Sequence, residues 1–181
     1  AYKGLDTDFC VINTDAPNTA QLKAINDKTD GSITLLNQAP LSGNISDLTD
    51  ALDGFSNGPI GVANQFSDVI NATDQFANFA GWNGGTSKPE LTTNFDSISS
   101  RWGNINVAFS DGIDTGVNAA DVTAGVNPNA TKVLGAINDS TTGTITLDNT
   151  NKNIIRGTIE EICQALNGFS NGTTGNPNEF G

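Results

Sequence analysis

The sequence contains no histidine, no methionine and only two cysteines in its 181 residues. Without histidine, Ser-His-Asp and Cys-His nucleophiles and histidine-ligated zinc or haem sites are excluded. The two cysteines belong to no cluster of metal ligands, and no glycine-rich stretch has the phosphate-binding pattern. Catalysis would have to use paired carboxylates, as in glycosidases, and 20 acidic residues bring some pair together by chance. We therefore predict that the protein is not an enzyme.

Basic residues are also scarce, with 8 against 20 acidic residues and a net charge of −12. This balance opposes binding to nucleic acid or to anionic membranes, because both need a positive protein surface. No apolar run is long enough for a membrane span, so we predict no membrane insertion. An acidic chain with an even number of cysteines favours a secreted, extracellular or cell-surface location. The start at Ala1, without Met, fits a mature secreted chain and a fragment equally.

What the sequence does contain is an internal repeat. Residues 24–27 (AIND) and 31–35 (GSITL) return 112 positions later as residues 136–139 (AIND) and 143–147 (GTITL). Residues 51–58 (ALDGFSNG) return 114 positions later as residues 165–172 (ALNGFSNG). A repeated unit is usually a building block, so the repeat favours assembly over chemistry. The second copy stops at the point where a further unit could begin, which is typical of a longer array or of a chain completed by a neighbour.

Each copy is predicted to be a β-α-β-α unit. The first strand is expected at residues 9–12 or 121–124, and the first helix starts near Pro17 or Pro128. A strand with alternating β-branched residues follows at residues 32–36 or 144–148. Strand–helix–strand connections of this length favour parallel pairing.

The second helix of each copy has clear end signals. It starts near Asn44 in the first copy, and in the second copy Thr158 and Glu161 fit a capping box. Gly54 and Gly168 stand at the C-terminal ends, where a left-handed residue is usual.

Between the copies lies a segment without a counterpart. Its apolar residues predict a helical region, then a helix over residues 91–102 and a strand over residues 104–109; the first region rests on Phe66, Val69, Ile70, Phe76 and Phe79. We therefore predict an α/β fold in one compact domain. Two β-α-β-α-like repeats, residues 1–63 and 117–181, flank a unique and mainly helical insert, residues 64–116.

Cys10 and Cys163 leave two interpretations open. They could form a disulfide, within the chain or between subunits, which would stabilise by about 4–5 kcal/mol in the chain-entropy model. Alternatively they are two buried free thiols, because cysteine is among the most buried residues.

Calcium is the one cofactor that the residues leave open. Asp27 and Asp30, and Asp111 and Asp114, are clusters of oxygen ligands, but neither fits the EF-hand or the glycine-rich nonapeptide spacing. The alternative is that they form turns and helix ends. Trp82 and Trp102, both in the insert, are either a platform for stacking a sugar or part of a core or interface.

The amino-acid sequence of the repeat resembles units of large secreted bacterial surface proteins of the cyanobacterial hemolysin-like, S-layer and adhesin types. The residues that carry this resemblance are 22–26 (LKAIN), 31–35 (GSITL), 45–48 (ISDL) and 51–55 (ALDGF). The calcium-binding nonapeptides of those proteins are missing here. The resemblance implies an extracellular structural role and supplies no catalytic residues.

We therefore expect a non-enzymatic extracellular structural protein whose partners are copies of itself, and which assembles into a surface layer, a filament or an adhesive array. Docking would use an open sheet edge, and the N-terminal segment is the predicted donor; its candidate residues are Tyr2, Leu5, Phe9, Val11 and Ile12. The alternative is a carbohydrate-binding module that takes surface glycans on the aromatic residues of the insert.

Overall fold

The computed structural model describes residues 9–13, 15–75, 90–110, 130–148, 155, 157–173 and 175–181. In these ranges the chain is a mixed α/β protein, as predicted. The helices are α1 (Thr19–Asn26), α2 (Ile45–Ala51), α3 (Glu90–Trp102), α4 (Ala130–Ser140) and α5 (Ile159–Ala165). The strands are β1 (Cys10–Ile12), β2 (Ile33–Leu35), β3 (Leu41–Gly43), β4 (Ser56–Asn57), β5 (Gln65–Phe66), β6 (Ile70–Asp74), β7 (Asn106–Phe109), β8 (Ile145–Thr146), β9 (Ser170–Asn171) and β10 (Glu179–Phe180).

All pairs of these strands run parallel. One sheet has four strands in the order β3-β6-β7-β8, and β1–β2, β4–β5 and β9–β10 form two-stranded sheets. Parallel neighbours need a long crossover rather than a tight turn, and helices supply it between β1 and β2, between β6 and β7, and between β7 and β8. The parallel pairing predicted for the first copy is confirmed in β1 and β2.

A single hydrophobic core joins the strands to the helices. Ile33 and Leu35 of β2 are buried while Thr34 between them is half-buried, which is the alternation expected of a strand with one face on the core. On α2, Ile45 and Leu48 lie on the buried face one turn apart. The same core includes residues of α3, α4 and β7.

The ends of the second helix in each copy follow the predicted caps. The side chain of Asn44 accepts a hydrogen bond from the first turn of α2, and Thr158 and Glu161 form the capping box of α5. Beyond the helices, Gly54 and Gly168 have φ angles of 72° and 79°. Glycine adopts this left-handed conformation without a Cβ clash, so both local signals are confirmed.

The two copies also share a contact that sequence patterns do not reveal. Asn64 donates its backbone N–H to the carbonyl oxygen of Ile33 at 2.7 Å, and its Oδ1 accepts the Ile33 N–H at 2.6 Å. Asn178 makes the same two bonds to Ile145, at 2.8 and 2.7 Å. Both asparagines have positive φ, 51° and 53°, which Asn tolerates better than most residues. The 114-residue spacing of the sequence therefore has a counterpart in the backbone.

The first part of the insert was predicted to be helical, and this prediction is wrong where the structure describes it. Residues 65–66 and 70–74 form β5 and β6 instead. Ile70 and Ala72 are buried and alternate with more exposed neighbours, because β6 lies between β3 and β7 and places one face on the core. The predicted helix over residues 91–102 and the strand over 104–109 are confirmed as α3 and β7. Phe76, Phe79 and the strand predicted at residues 121–124 lie outside the described residues.

Candidate assembly interface

Among the described strands, β1 has a partner on one edge only. On its inner edge Cys10 donates its N–H to the Ser32 carbonyl at 2.8 Å, and Ile12 accepts the N–H of Leu36 at 3.0 Å. Because successive residues of a strand direct their backbone groups to opposite edges, the N–H and C=O of Val11 point away from β2. Within the described residues, no strand pairs with this outer edge.

The four-stranded sheet shows what covers such an edge. β7 pairs with β8 through Val107 and Ile145, and β1 pairs with β2 through Cys10 and Ile33. Ile145 and Ile33 are equivalent residues of the two sequence copies, so β1 and β7 hold corresponding positions. β7, however, has β6 on its other side. The outer edge of β1 is therefore the position that a β6-like strand occupies beside β7.

Exposed apolar side chains lie on β1, after β2 and in the loop paired with the far edge of β2, and together we call them the β1 face. Phe9 is 76% exposed and Val11 47% exposed. A strand that packs one face against the core normally carries polar residues on the opposite, solvent-facing side. Three further exposed apolar residues follow β2 or lie in the loop beside it; they are Leu36, Ile60 and Val62. Ala63 of this loop is bridged to Thr34 of β2, and Gly61 donates its N–H to the Leu35 carbonyl at 2.9 Å.

The second copy lacks this apolar character. In the corresponding strand β7, Phe9 and Val11 are replaced by Asn106 and Ala108. The residues equivalent to the other three members of the β1 face are Asp148, Thr174 and Asn176. An exposed apolar group whose equivalents in the same chain are polar or a small alanine is typical of an interaction surface. No local sequence pattern distinguishes the loop residues, but a position-by-position comparison of the two copies does, because their counterparts are polar.

The predicted assembly segment needs a correction. Val11 and Phe9 are exposed, but Cys10 and Ile12 are half-buried and pack against the core. Residues 10–12 are therefore held in the chain's own sheet and are not free to reach outward as a donor strand. What the segment offers to a partner is its outer edge. Tyr2 and Leu5 lie outside the described residues.

The intrachain disulfide is not formed. Cys10 lies half-buried on β1 and Cys163 is exposed on α5, and both are free thiols. Cys163 occupies the position of the half-buried Thr49 of the equivalent helix and is itself exposed, so it does not face the core where a bridge to β1 would have to run. The alternative of two buried thiols is also wrong for Cys163.

Trp102 is not a stacking platform. It is only 6% exposed, and its indole Nε1 donates a buried hydrogen bond to the Phe66 carbonyl at 2.7 Å. The Arg101 guanidinium lies 4.7 Å from the centre of its ring. Burial lowers the pKa of Arg101, while the charge of Asp53 acts in the opposite direction. Trp102 thus closes the core beneath α3, and Trp82 lies outside the described residues.

The aspartates predicted to bind calcium lie beside a cleft of the first copy. Asp27 and Asp30 line this cleft of about 520 Å³ with Asp50 and Asp53. Asp50 is already paired with Lys23, and its hydrogen bond is the main cause that raises the pKa of Lys23. Over the described ranges, no three carboxylate, cysteine or histidine groups are placed to hold a metal ion, so these residues give the calcium prediction no support. The other two predicted ligands lie outside those ranges; they are Asp111 and Asp114.

No helix among the described residues is long and apolar enough to cross a membrane. Comparison of the chain with family models, with curated proteins and with solved structures finds no match in any of the three.

Proposed function

We propose that the protein is a non-enzymatic structural protein that assembles with copies of itself into a filament, layer or adhesive array outside the cell. The observation that carries this proposal is the open, apolar edge of β1. Unpaired strand edges are ready templates for a further strand, and soluble proteins normally blunt them with charged residues or cover them. Here the edge carries Phe9 and Val11, and the strand in the corresponding position, β7, is covered by β6.

The proposed architecture follows from the contacts that the two copies share. Two β-α-β-α-like units flank the segment that contains β6 and α3, within one compact domain. The paired bonds of Asn64 and Asn178 and the left-handed Gly54 and Gly168 support this division. In repeat proteins each unit contacts its neighbours, and a unit without a neighbour leaves apolar surface exposed. Contact of one molecule with the next through unlike surfaces builds an open filament or array rather than a closed dimer.

The proposal is tested with Val11→Lys. The N–H and C=O of Val11 point outward, so the substitution leaves the β1–β2 hydrogen bonds in place and adds a charge to the edge, the device by which natural edges avoid pairing. We expect the wild-type protein to form ordered filaments or sheets in negative-stain microscopy and fast-sedimenting species in analytical ultracentrifugation. The variant should remain monomeric.

The matched control is Thr173→Lys, which makes the same charge change at an exposed residue of the second copy, away from the β1 face. This variant should assemble as the wild type does. Wild-type protein that stays monomeric up to its solubility limit would refute the proposed function. Equal loss of assembly in both variants would show that added charge, and not the β1 edge, is responsible.

A further inference from the structure

The outer faces of α2 and α5 have the same apolar pattern and very different surroundings. Ile45 of α2 is 0% exposed, whereas the equivalent Ile159 of α5 is 83% exposed. The same contrast holds at four further equivalent pairs, fully buried in the first copy and half-buried in the second; these pairs are Leu48 and Ile162, Leu52 and Leu166, Phe55 and Phe169, and Phe66 and Phe180. We call the second-copy set, with Ile159, the α5 face.

The burial of the first-copy residues has a specific cause. β6 pairs with β3, and α3 packs across α2. Together β6 and α3 form a strand–helix segment that covers the apolar face of the first copy. In the second copy, where no described segment takes this place, the equivalent residues are half-buried and Ile159 is exposed.

Polar contacts fix the segment in place. The Arg101 guanidinium Nη1 donates to the carbonyl oxygens of Leu52 and Phe55, both at 2.8 Å. Trp102 donates its indole N–H to the Phe66 carbonyl. Arg101 and Trp102, at the end of α3, thus bind three backbone carbonyls of the first copy. The two bonds from the charged Arg101 are stronger than bonds from a neutral donor.

The second copy presents the same three carbonyls without these donors. They are the carbonyls of Leu166, Phe169 and Phe180, which correspond to those of Leu52, Phe55 and Phe66. The arginine and the tryptophan that the structure describes, Arg101 and Trp102, are both engaged in the first copy. The α5 face is therefore apolar and only partly covered, and the equivalent face of the first copy has its complement inside the same molecule.

We propose that the α5 face binds a strand followed by an amphipathic helix that ends in Arg-Trp, the chemistry of the chain's own β6–α3 segment, supplied by a neighbouring repeat unit. The inference rests on the proposed function, since it names the surface on which an array would grow. The incoming strand takes the position before α5 that β6 takes before α2. Its helix buries Ile159, and its arginine and tryptophan donate to the three carbonyls.

The experiment uses the full chain and a fluorescent synthetic peptide with the sequence of residues 67–103, followed by fluorescence anisotropy. We expect saturable binding to the wild-type protein. Ile159→Asp should weaken it at least about tenfold, because a charge would be buried against the incoming helix. A peptide carrying the change R101K should also bind about tenfold more weakly, because lysine lacks the rigid planar guanidinium that directs both N–H groups of Nη1 at the two carbonyls.

The control protein carries Ile60→Asp, an equally drastic change on the β1 face, and should bind the peptide as the wild type does. Absence of peptide binding to the wild type, or equal binding to Ile159→Asp, would overturn the inference. Self-association that needs Ile159 without any peptide binding would show that α5 faces pair with each other, which also overturns the inference but leaves the proposed function standing. Peptide binding by a protein that never assembles would support the inference and refute the proposed function.

Discussion

Replacing Ile45 by alanine should destabilise the single molecule strongly, whereas replacing Ile159 by alanine should have almost no effect on its stability. The two residues are the first of equivalent helices, α2 and α5, and follow equivalent capping residues. Truncating a fully buried isoleucine removes its transfer free energy and leaves a cavity, which together cost about 2–5 kcal/mol. Truncating a side chain that is mostly in water costs at most about 0.5 kcal/mol. The expected difference is therefore about 2–4 kcal/mol in the free energy of unfolding.

Urea denaturation followed by circular dichroism measures this difference, at a protein concentration low enough to keep the chain monomeric. The midpoint should fall clearly for Ile45→Ala and stay close to the wild-type value for Ile159→Ala, with the slope of the transition unchanged in both. For a chain of this length the loss for Ile45→Ala corresponds to a melting temperature lower by about 4–20 °C. A second pair, Leu48→Ala and Ile162→Ala, should show the same direction with a smaller contrast.

Equal destabilisation by both isoleucine variants would refute the reasoning, because it would mean that α5 is covered in the single molecule as α2 is. A loss for Ile159→Ala that appears only at high protein concentration would have a different meaning. It would indicate that the α5 face becomes buried on assembly, since binding stabilises the folded state by mass action.

Three further predictions concern backbone space, pH and the core. Gly143→Ala should lower stability, because the new Cβ would overlap the carbonyl oxygen of Ile105. The control Gly135→Ala, inside α4, would place its Cβ in ordinary van der Waals contact with Gln164 and the Ala165 backbone, at 3.4 and 3.5 Å, and should be neutral or stabilising; urea midpoints of the two variants compare them. The capping bond at the start of α5, with a lysine beside it, lowers the pKa of Glu161 below its ordinary value of 4.5. Its contribution is therefore present at neutral pH and is lost progressively as the pH falls from about 4.5 through the lowered pKa, so Glu161→Gln should lower the urea midpoint more at pH 7 than at pH 3, and equal losses at both pH values would contradict this. Trp102→Phe should cost about 1–3 kcal/mol, because it leaves a buried backbone carbonyl without its donor, and an unchanged thermal unfolding curve would show that water replaces the indole.

The elements that could be predicted from the sequence depend on contacts within a few residues. The capping box of Thr158 and Glu161 joins residues three apart, and the left-handed Gly54 and Gly168 respond to the local end of a helix. The alternation of β2 shows directly in its β-branched residues. Such signals are local, so a single sequence is enough to find them.

Other elements were missed because their stability comes from distant partners. β3 contains Gly43 and follows Pro40, a composition typical of a loop, and it is a strand because β6 lies beside it. β6 was predicted as helix from apolar residues spaced three and four apart. Its strand conformation comes from pairing with β3 and β7, whose residues lie about 30 positions away on either side.

The repeat itself was determined by the sequence alone, and so were the caps, the strands with clear alternation, and the absence of histidine-based chemistry. Only the tertiary structure decided which copies of the repeat are covered. Ile45 and Ile159 stand in nearly the same local sequence, yet one is buried and the other exposed. Burial depends on what packs from elsewhere in the chain, and in the first copy this is the β6–α3 segment. The same physical reason leaves the edge of β1 open while the edge of β7 is closed.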